Sequence, residues 1–172
     1  MKDIYVNFGD ASIKGDSRDA AHVGQVEVTS FSHVIQQPKS ATSSTAGGHT
    51  AERVEFGDLV FTKDIDIATP ALMAACCSGT VIKKTVIQFF RAYGGNTAGG
   101  AQSRVMYYQL TLANSIVSSV ATSIGAEGLP IETFTLKPSA ITWDYAGQKI
   151  DGSPGDKLSK SWSLATNTAA NP

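Results

Sequence analysis

Several things are scarce in this sequence, and each scarcity closes off a class of protein. No apolar run approaches the roughly 20 residues that a bilayer-crossing helix needs. The opening MKDIYVNFGDAS has neither an apolar h-region nor a small-residue cleavage site, so no signal peptide of the general secretory kind is expected. Charge is balanced and sparse: 14 basic residues stand against 15 acidic ones, a net charge of −1. That gives no electrostatic reason to expect nucleic acid or an anionic membrane as partner. Cysteine occurs twice, as the neighbours Cys76 and Cys77. Adjacent positions on a helix point about 100° apart, so a bridge between them needs severe distortion. Both are read as reduced thiols, and the folding compartment as cytosolic.

What is present is a hydrophobic content of 42 % over 172 residues, enough for one domain with a sizeable core. The stretch VEFGDLVFTKDIDIATPALMAACCSG, residues 54–79, organises the rest. Leu59, Phe61, Ile65 and Ile67 share one parity, which predicts a strand with one apolar face. The period then changes. Thr69 as cap, Pro70 at the first position and Gly79 as a left-handed terminator predict a helix at about residues 70–78. Leu72, Met73 and Cys76 form its heavier side. A helix this short does not persist alone in water, so it must dock on the sheets around it.

Elsewhere the signals are those of short strands. Residues 4–8 form a first strand, and QVEVTSFSHVIQQ (25–37) a long second one with Val26 and Val28 inward. PKSATSSTAGGHTAE (38–52) has almost no apolar bulk; a loop of that length in a compact domain usually serves a function or is disordered. Residues 80–95 supply another strand, in which the neighbours Phe89 and Phe90 must both find cover. Residues 103–125 supply two segments, with Met106, Tyr108, Leu110 and Leu112 on one parity. Phe134 and Leu136, then Ile141, Trp143 and Tyr145, alternate in the closing strands, and Trp162 and Leu164 suit an edge strand. The fold class is therefore mostly β: a two-sheet barrel or sandwich with one short flanking helix, in a single domain over 1–172. Residues 38–51 are expected as an extended polar arm, and 165–172 as a frayed tail.

Catalytic patterns fail one by one. The glycines from Gly94 to Gly100 lack both phosphate-loop spacings and join strands, where those motifs open a helix. Ser153 in DGSPG has its glycines at the wrong offset for a nucleophile elbow. His22, His33 and His49 are scattered, so no metal site or catalytic base is expected from them. Asp64 and Asp66 on one strand face would sit about 7 Å apart, within the glycosidase range, but a solvated or interface-facing acidic edge is the reading taken. No enzyme signature, cofactor or metal is expected. The residues describe a soluble β domain with long polar arms, built to touch something.

A resemblance adds to this. Asp58-Leu59-Val60-Phe61-Thr62-Lys63-Asp64-Ile65-Asp66, then Thr69-Pro70-Ala71-Leu72-Met73-Ala74-Ala75-Cys76 and Ser78-Gly79, closely resemble the Hcp family of bacterial type VI secretion. Ile13-Lys14-Gly15-Asp16-Ser17 is similar to that family's "I-K-G-E-S" loop, with Asp16 in place of Glu. Ser30-Phe31-Ser32-His33, Val117-Ser118-Ser119-Val120, Leu129-Pro130-Ile131-Glu132-Thr133 and Ile141-Thr142-Trp143-Asp144-Tyr145 resemble further family segments in the same order. The resemblance implies a β-barrel tube subunit. Six copies close into a ring, rings stack into a tube driven by a contractile sheath, and the protein is assembled in the bacterial cytoplasm and exported. Implied partners are further copies of the chain, sheath and spike proteins, and small effector proteins carried in the lumen. Ser32 is the candidate cargo-facing residue, with a locally bonded strand serine as the alternative. Pro38, Lys39, Ser40, Ser44, Gly47, Gly48 and His49 are the candidate stacking arm, and the Gly94–Ala101 and Gly125–Pro130 turns are expected beside it. Ring closure is expected to use strand edges and the strand from Lys83 to Tyr93. The alternatives are a phage-tail-tube-like structural protein, or a β-sandwich carbohydrate-binding module using Trp143 and Trp162.

Overall fold

The computed structural model describes residues 3–9, 12–38, 52–92, 104–124, 128–149 and 154–169. In chain order these form β1 (Asp3–Asn7), β2 (Val26–Val28), β3 (Ser30–Ser32), β4 (Ile35–Gln36), β5 (Glu55–Phe56) and β6 (Leu59–Asp64). There follow α1 (Ala68–Ser78), β7 (Val81–Ala92), β8 (Arg104–Ile124), β9 (Pro130–Lys137), β10 (Ala140–Gln148) and β11 (Pro154–Ser163). The expectation of a mostly β chain with one short helix holds.

The spine is β8, whose 21 residues run as one strand where two segments were expected. At about 3.3 Å per residue it is far longer than an ordinary strand, and Asn114, with φ 46°, puts a bend in it. One edge of β8 is taken by β7. The other is shared in succession: β10 pairs with Tyr108–Ala113, and β9 with Ile116–Ile124. Two lobes therefore branch from one strand. The first continues through β7 to β1 and β2 on one side and through β10 to β11 on the other; the second runs through β9 to β6 and β3.

The two ends of this path meet. β2 and β3 are separated only by Thr29, whose N–H and hydroxyl both donate to the carbonyl of Thr62, at 2.7 and 3.0 Å. The segment expected as one long strand is thus broken at Thr29, because β2 serves β1 while β3 serves β6. The sheet folds back on itself, as the expected barrel or sandwich requires, and among the described residues no ladder closes it into a barrel. β4 and β5 form a separate two-stranded sheet.

The inward parities are those the alternation predicts. Val26, Val28, Leu59, Phe61, Leu110, Leu112, Phe134, Leu136 and Ile141 are all buried. Phe61 and Phe134, cross-strand partners on β6 and β9, stack with centroids 4.9 Å apart. Phe89 is buried, and Phe90, one residue beyond a register shift, is covered from another side by Tyr5 and His22. Leu59 and Phe61 point inward, but Ile65 and Ile67 do not. The strand ends at Asp64, so its parity stops applying there.

The helix starts two residues earlier than Pro70, and Thr69 is not its cap. Asp66 does that work: its Oδ1 accepts from the Ala68 N–H at 2.9 Å, while Thr69 Oγ1 accepts from the Asp66 N–H at 3.3 Å. Asp16 Oδ2 takes the Ile67 N–H at 3.2 Å, which ties the 12–25 loop to the helix start. Carboxylates there also suit the helix dipole. Gly79 ends the helix at φ 62°, as the sequence predicts. The docked face is Ala68, Leu72 and Ala75, spaced i, i+4, i+7. Met73 and Cys77 point to solvent and Cys76 lies half-buried, so the heavier side predicted for the helix is only partly the buried one.

Candidate assembly surfaces

The groups screened for chemistry do not converge. Asp64 ends β6 on the outer face, while Asp66 has turned inward to cap α1, so they do not form a carboxylate pair on one strand face. His22 and His33 lie on a loop and beside β3, with Tyr5 and Phe90 around the first and Phe56 against the second. Burial lowers the pKa of both below the usual imidazole value. Contact with Gln88 and the charge of Glu27 oppose the shift at His22, and a backbone hydrogen bond to Gly57 opposes it at His33. Among the described residues no three His, Cys, Asp or Glu side chains gather as metal ligands. Trp143 packs edge-on against Phe56 and Trp162 sits half-buried opposite Ile141, so neither indole offers an open stacking platform. His49, Ser153 and the Gly94–Ala101 turn lie outside the described residues, as do Gly125 and its two successors.

The strongest polar feature is one that period counting passes over. Lys63 takes an inward position of β6, with 1 % exposure, and its register partner on β9 is Glu132, with 0 %. Lys63 Nζ lies 3.3 Å from Glu132 Oε1 and 2.5 Å from Asp66 Oδ1, and donates to Thr69 Oγ1 at 3.1 Å and the Asp64 carbonyl at 2.9 Å. One ammonium thus joins β6, β9 and the start of α1. A buried ion pair contributes little net stability, but losing one partner leaves an uncompensated buried charge.

A second cluster fastens the 12–25 loop to the sheet. Arg104, at the start of β8, reaches Asp3, Asp19 and the Tyr5 hydroxyl. His22 stacks on Tyr5 with centroids 4.1 Å apart, and its Nδ1 lies 2.7 Å from Asp19 Oδ1. Hydrogen bonding to Asp3 raises the Arg104 pKa further.

Of the candidate contact residues, Ser32 is exposed on β3, on the opposite face from Phe31, which packs on Phe61 and Phe89. Pro38 and Glu52 frame the predicted arm. The Glu52 N–H donates to the Pro38 carbonyl at 3.3 Å, and Gln37 Nε2 to the Glu52 carbonyl. The arm's two ends are therefore held together, next to the β4–β5 ribbon. Lys39, Ser40, Ser44, Gly47, Gly48 and His49 lie outside the described residues. β7, expected at a ring contact, is paired on both edges over Val86–Phe90, by β1 and β8, and the ladders join the rest of it to β8 alone. Among the described residues β2, β3 and β11 each have a single laddered neighbour in the large sheet, and that of β11 is β10.

Two recesses differ in character. One, of about 500 Å³, is lined by carboxylates of β1, the 12–25 loop, β2 and the β6–α1 corner, with Ile65 at its edge. The other, of about 700 Å³, lies along β8, β10 and β11 and is apolar, with Tyr108, Tyr145 and Leu158 in its lining.

Fold and surfaces together define a class: a mostly β domain with a docked helix, free strand edges and recesses of unlike character among the described residues. A family described as "Type VI secretion system effector, Hcp" matches residues 5–145. The protein hcp1 of Pseudomonas aeruginosa is 34 % identical over 170 residues, covering 98 % of each chain. The major exported protein of the same organism is 33 % identical over 106 residues, 62 % of this chain and 56 % of that one. A solved structure described as a type six secretion system protein superposes with a TM-score of 0.82 at 25 % identity, covering 98 % of this chain and 99 % of the other. Hcp1 from Salmonella typhimurium has the same fold, with a TM-score of 0.72 at 23 % identity and the same coverage. The chain belongs to the Hcp family of type VI secretion proteins.

Proposed function

We propose that this chain is a structural tube subunit of a type VI secretion system. Six copies close head to tail into a ring, the rings stack, and the tube is exported from the bacterial cytoplasm with its cargo. The observation that carries this reading is similarity over the whole chain: 98 % of this sequence aligns with 98 % of hcp1. The role proposed is mechanical, through repeated contact with sheath, spike and further copies.

Ring closure needs an interface between unlike patches whose rotation closes, and stacking needs a second contact that does not close. The exposed β11 edge and the two dissimilar recesses supply unlike patches. The paired neck at Gln37, Pro38 and Glu52 supports residues 38–51 as the stacking contact, because it fixes where the segment leaves the body. Ser32, exposed on a strand whose other face is core, is the proposed cargo-facing position. Negative-stain electron microscopy of the purified chain tests the reading. Rings with a central lumen support it, and particles of single-chain size refute it.

A further inference from the structure

The apolar parity of β10 and β11 runs past the point where the chain covers it. Cross-strand partners share a face, and on the inward face lie the pairs Ile141–Trp162, Trp143–Lys160 and Tyr145–Leu158 in succession. Ile141 is buried and Trp143 half-buried, but Tyr145 is 48 % and Leu158 60 % exposed. The core face has continued into the apolar groove of about 700 Å³, and no described residue lies over it. Beside it stands Lys160, exposed and without an ion pair among the described residues.

At the β6–α1 corner stands a patch of the opposite sign. Asp64 and Ile131 are register partners on the face away from the buried Lys63–Glu132 pair. Ile65 follows, held to β9 by its N–H on the Pro130 carbonyl. Both isoleucines are exposed, and so is Asp64, at the rim of the carboxylate-lined recess. One patch is two apolar side chains with a cation, the other two apolar side chains with an anion.

We propose that the groove beside β11 receives the β6–α1 corner of a second copy of this chain, with Ile65 and Ile131 against Tyr145 and Leu158, and Asp64 against Lys160. The inference rests on the ring reading and names the contact that closes the ring. The patches differ, so the contact is heterologous and leaves one of each free on every dimer for the next copy. The apolar pairs supply the area that leaves water, and the charges set register and exclude the like-with-like pairing. Lysine on an edge strand also blunts edge-to-edge pairing without any partner. Loss on mutation is therefore not decisive, and rescue is.

The test is the mass of the full chain over a dilution series, by mass photometry, with circular dichroism as the check on folding. Lys160→Glu and Asp64→Lys, each alone, are expected to raise the dissociation concentration of the ring about tenfold or more by placing like charges together. The two changes in one chain are expected to bring it back close to that of the unaltered protein. Leu158→Ser is expected to weaken the ring without any charge change. If the unaltered chain forms rings and both charge reversals leave their dissociation unchanged, or the double variant fails to recover, this contact is wrong while the tube reading stands. If the unaltered chain forms no ring at any concentration, the tube reading fails and takes this contact with it.

Discussion

Lys63 is the residue on which the interior most depends. Its ammonium is shared between Glu132 on β9, Asp66 in the β6–α1 connection and Thr69 on α1. Lys63→Met removes the charge and leaves Glu132 buried without its counterion, and is expected to destabilise the chain by about 3–5 kcal/mol in urea unfolding. Lys63→Met combined with Glu132→Leu is expected to recover most of that loss, because both buried charges then disappear together. A double variant as unstable as the single one would mean that the Asp66 and Thr69 bonds matter more than the pair. The histidines make a second residue-scale prediction. His22 and His33 both have pKa values lowered by burial, so the unfolded chain binds more protons than the folded one just below pH 6.5. Their contribution is complete above that pH and lost as the pH falls through the lowered values. Unfolding free energies at pH 7.5 and 5.5 are expected to differ less in the double variant His22→Asn, His33→Asn than in the unaltered chain.

Among the elements, the strand-to-helix switch is the most readable, because residues 59–64 carry a period of two and Gly79 stands where a left-handed residue is needed. Gly79→Ala is expected to cost about 1 kcal/mol: nothing lies within 4 Å of the added carbon, so the penalty is that of φ 62° alone. Gly15 is the contrary case. A carbon there would meet the Gln25 carbonyl oxygen at 2.3 Å, so Gly15→Ala is expected to lower Tm more than Gly79→Ala does, by pushing the 12–25 loop off β2. The observed cap differs from the predicted one because α1 begins at Ala68, which leaves Thr69 inside the helix and Asp66 to accept from the Ala68 N–H; the inner face differs because the small residues Ala68 and Ala75, with Leu72, make the close contact. β8 was read as two strands because a break in pattern near Asn114 looks the same whether the chain turns or bends. Only pairing partners on either side distinguish the two. Lys63 and Glu132 were invisible for a related reason: an inward lysine looks like a violation of alternation until the facing strand is known.

At the scale of the molecule, family and overall class were legible because motif order spans the chain, whereas surfaces were not. Parity assigns a face to Tyr145 and Leu158 but does not reveal that the cover ends before reaching them. Nor does composition distinguish an interior strand such as β7 from a free edge such as β11. Deleting residues 40–50 is expected to leave single rings intact and to abolish their stacking, seen as loss of long tubes by electron microscopy at high concentration; unchanged tubes would remove the arm from the contact. The account as a whole depends on self-assembly, and the most direct measurement is the native mass of the purified chain. A species of six times the chain mass that persists on dilution is the predicted result. A single-chain mass at every concentration would contradict it.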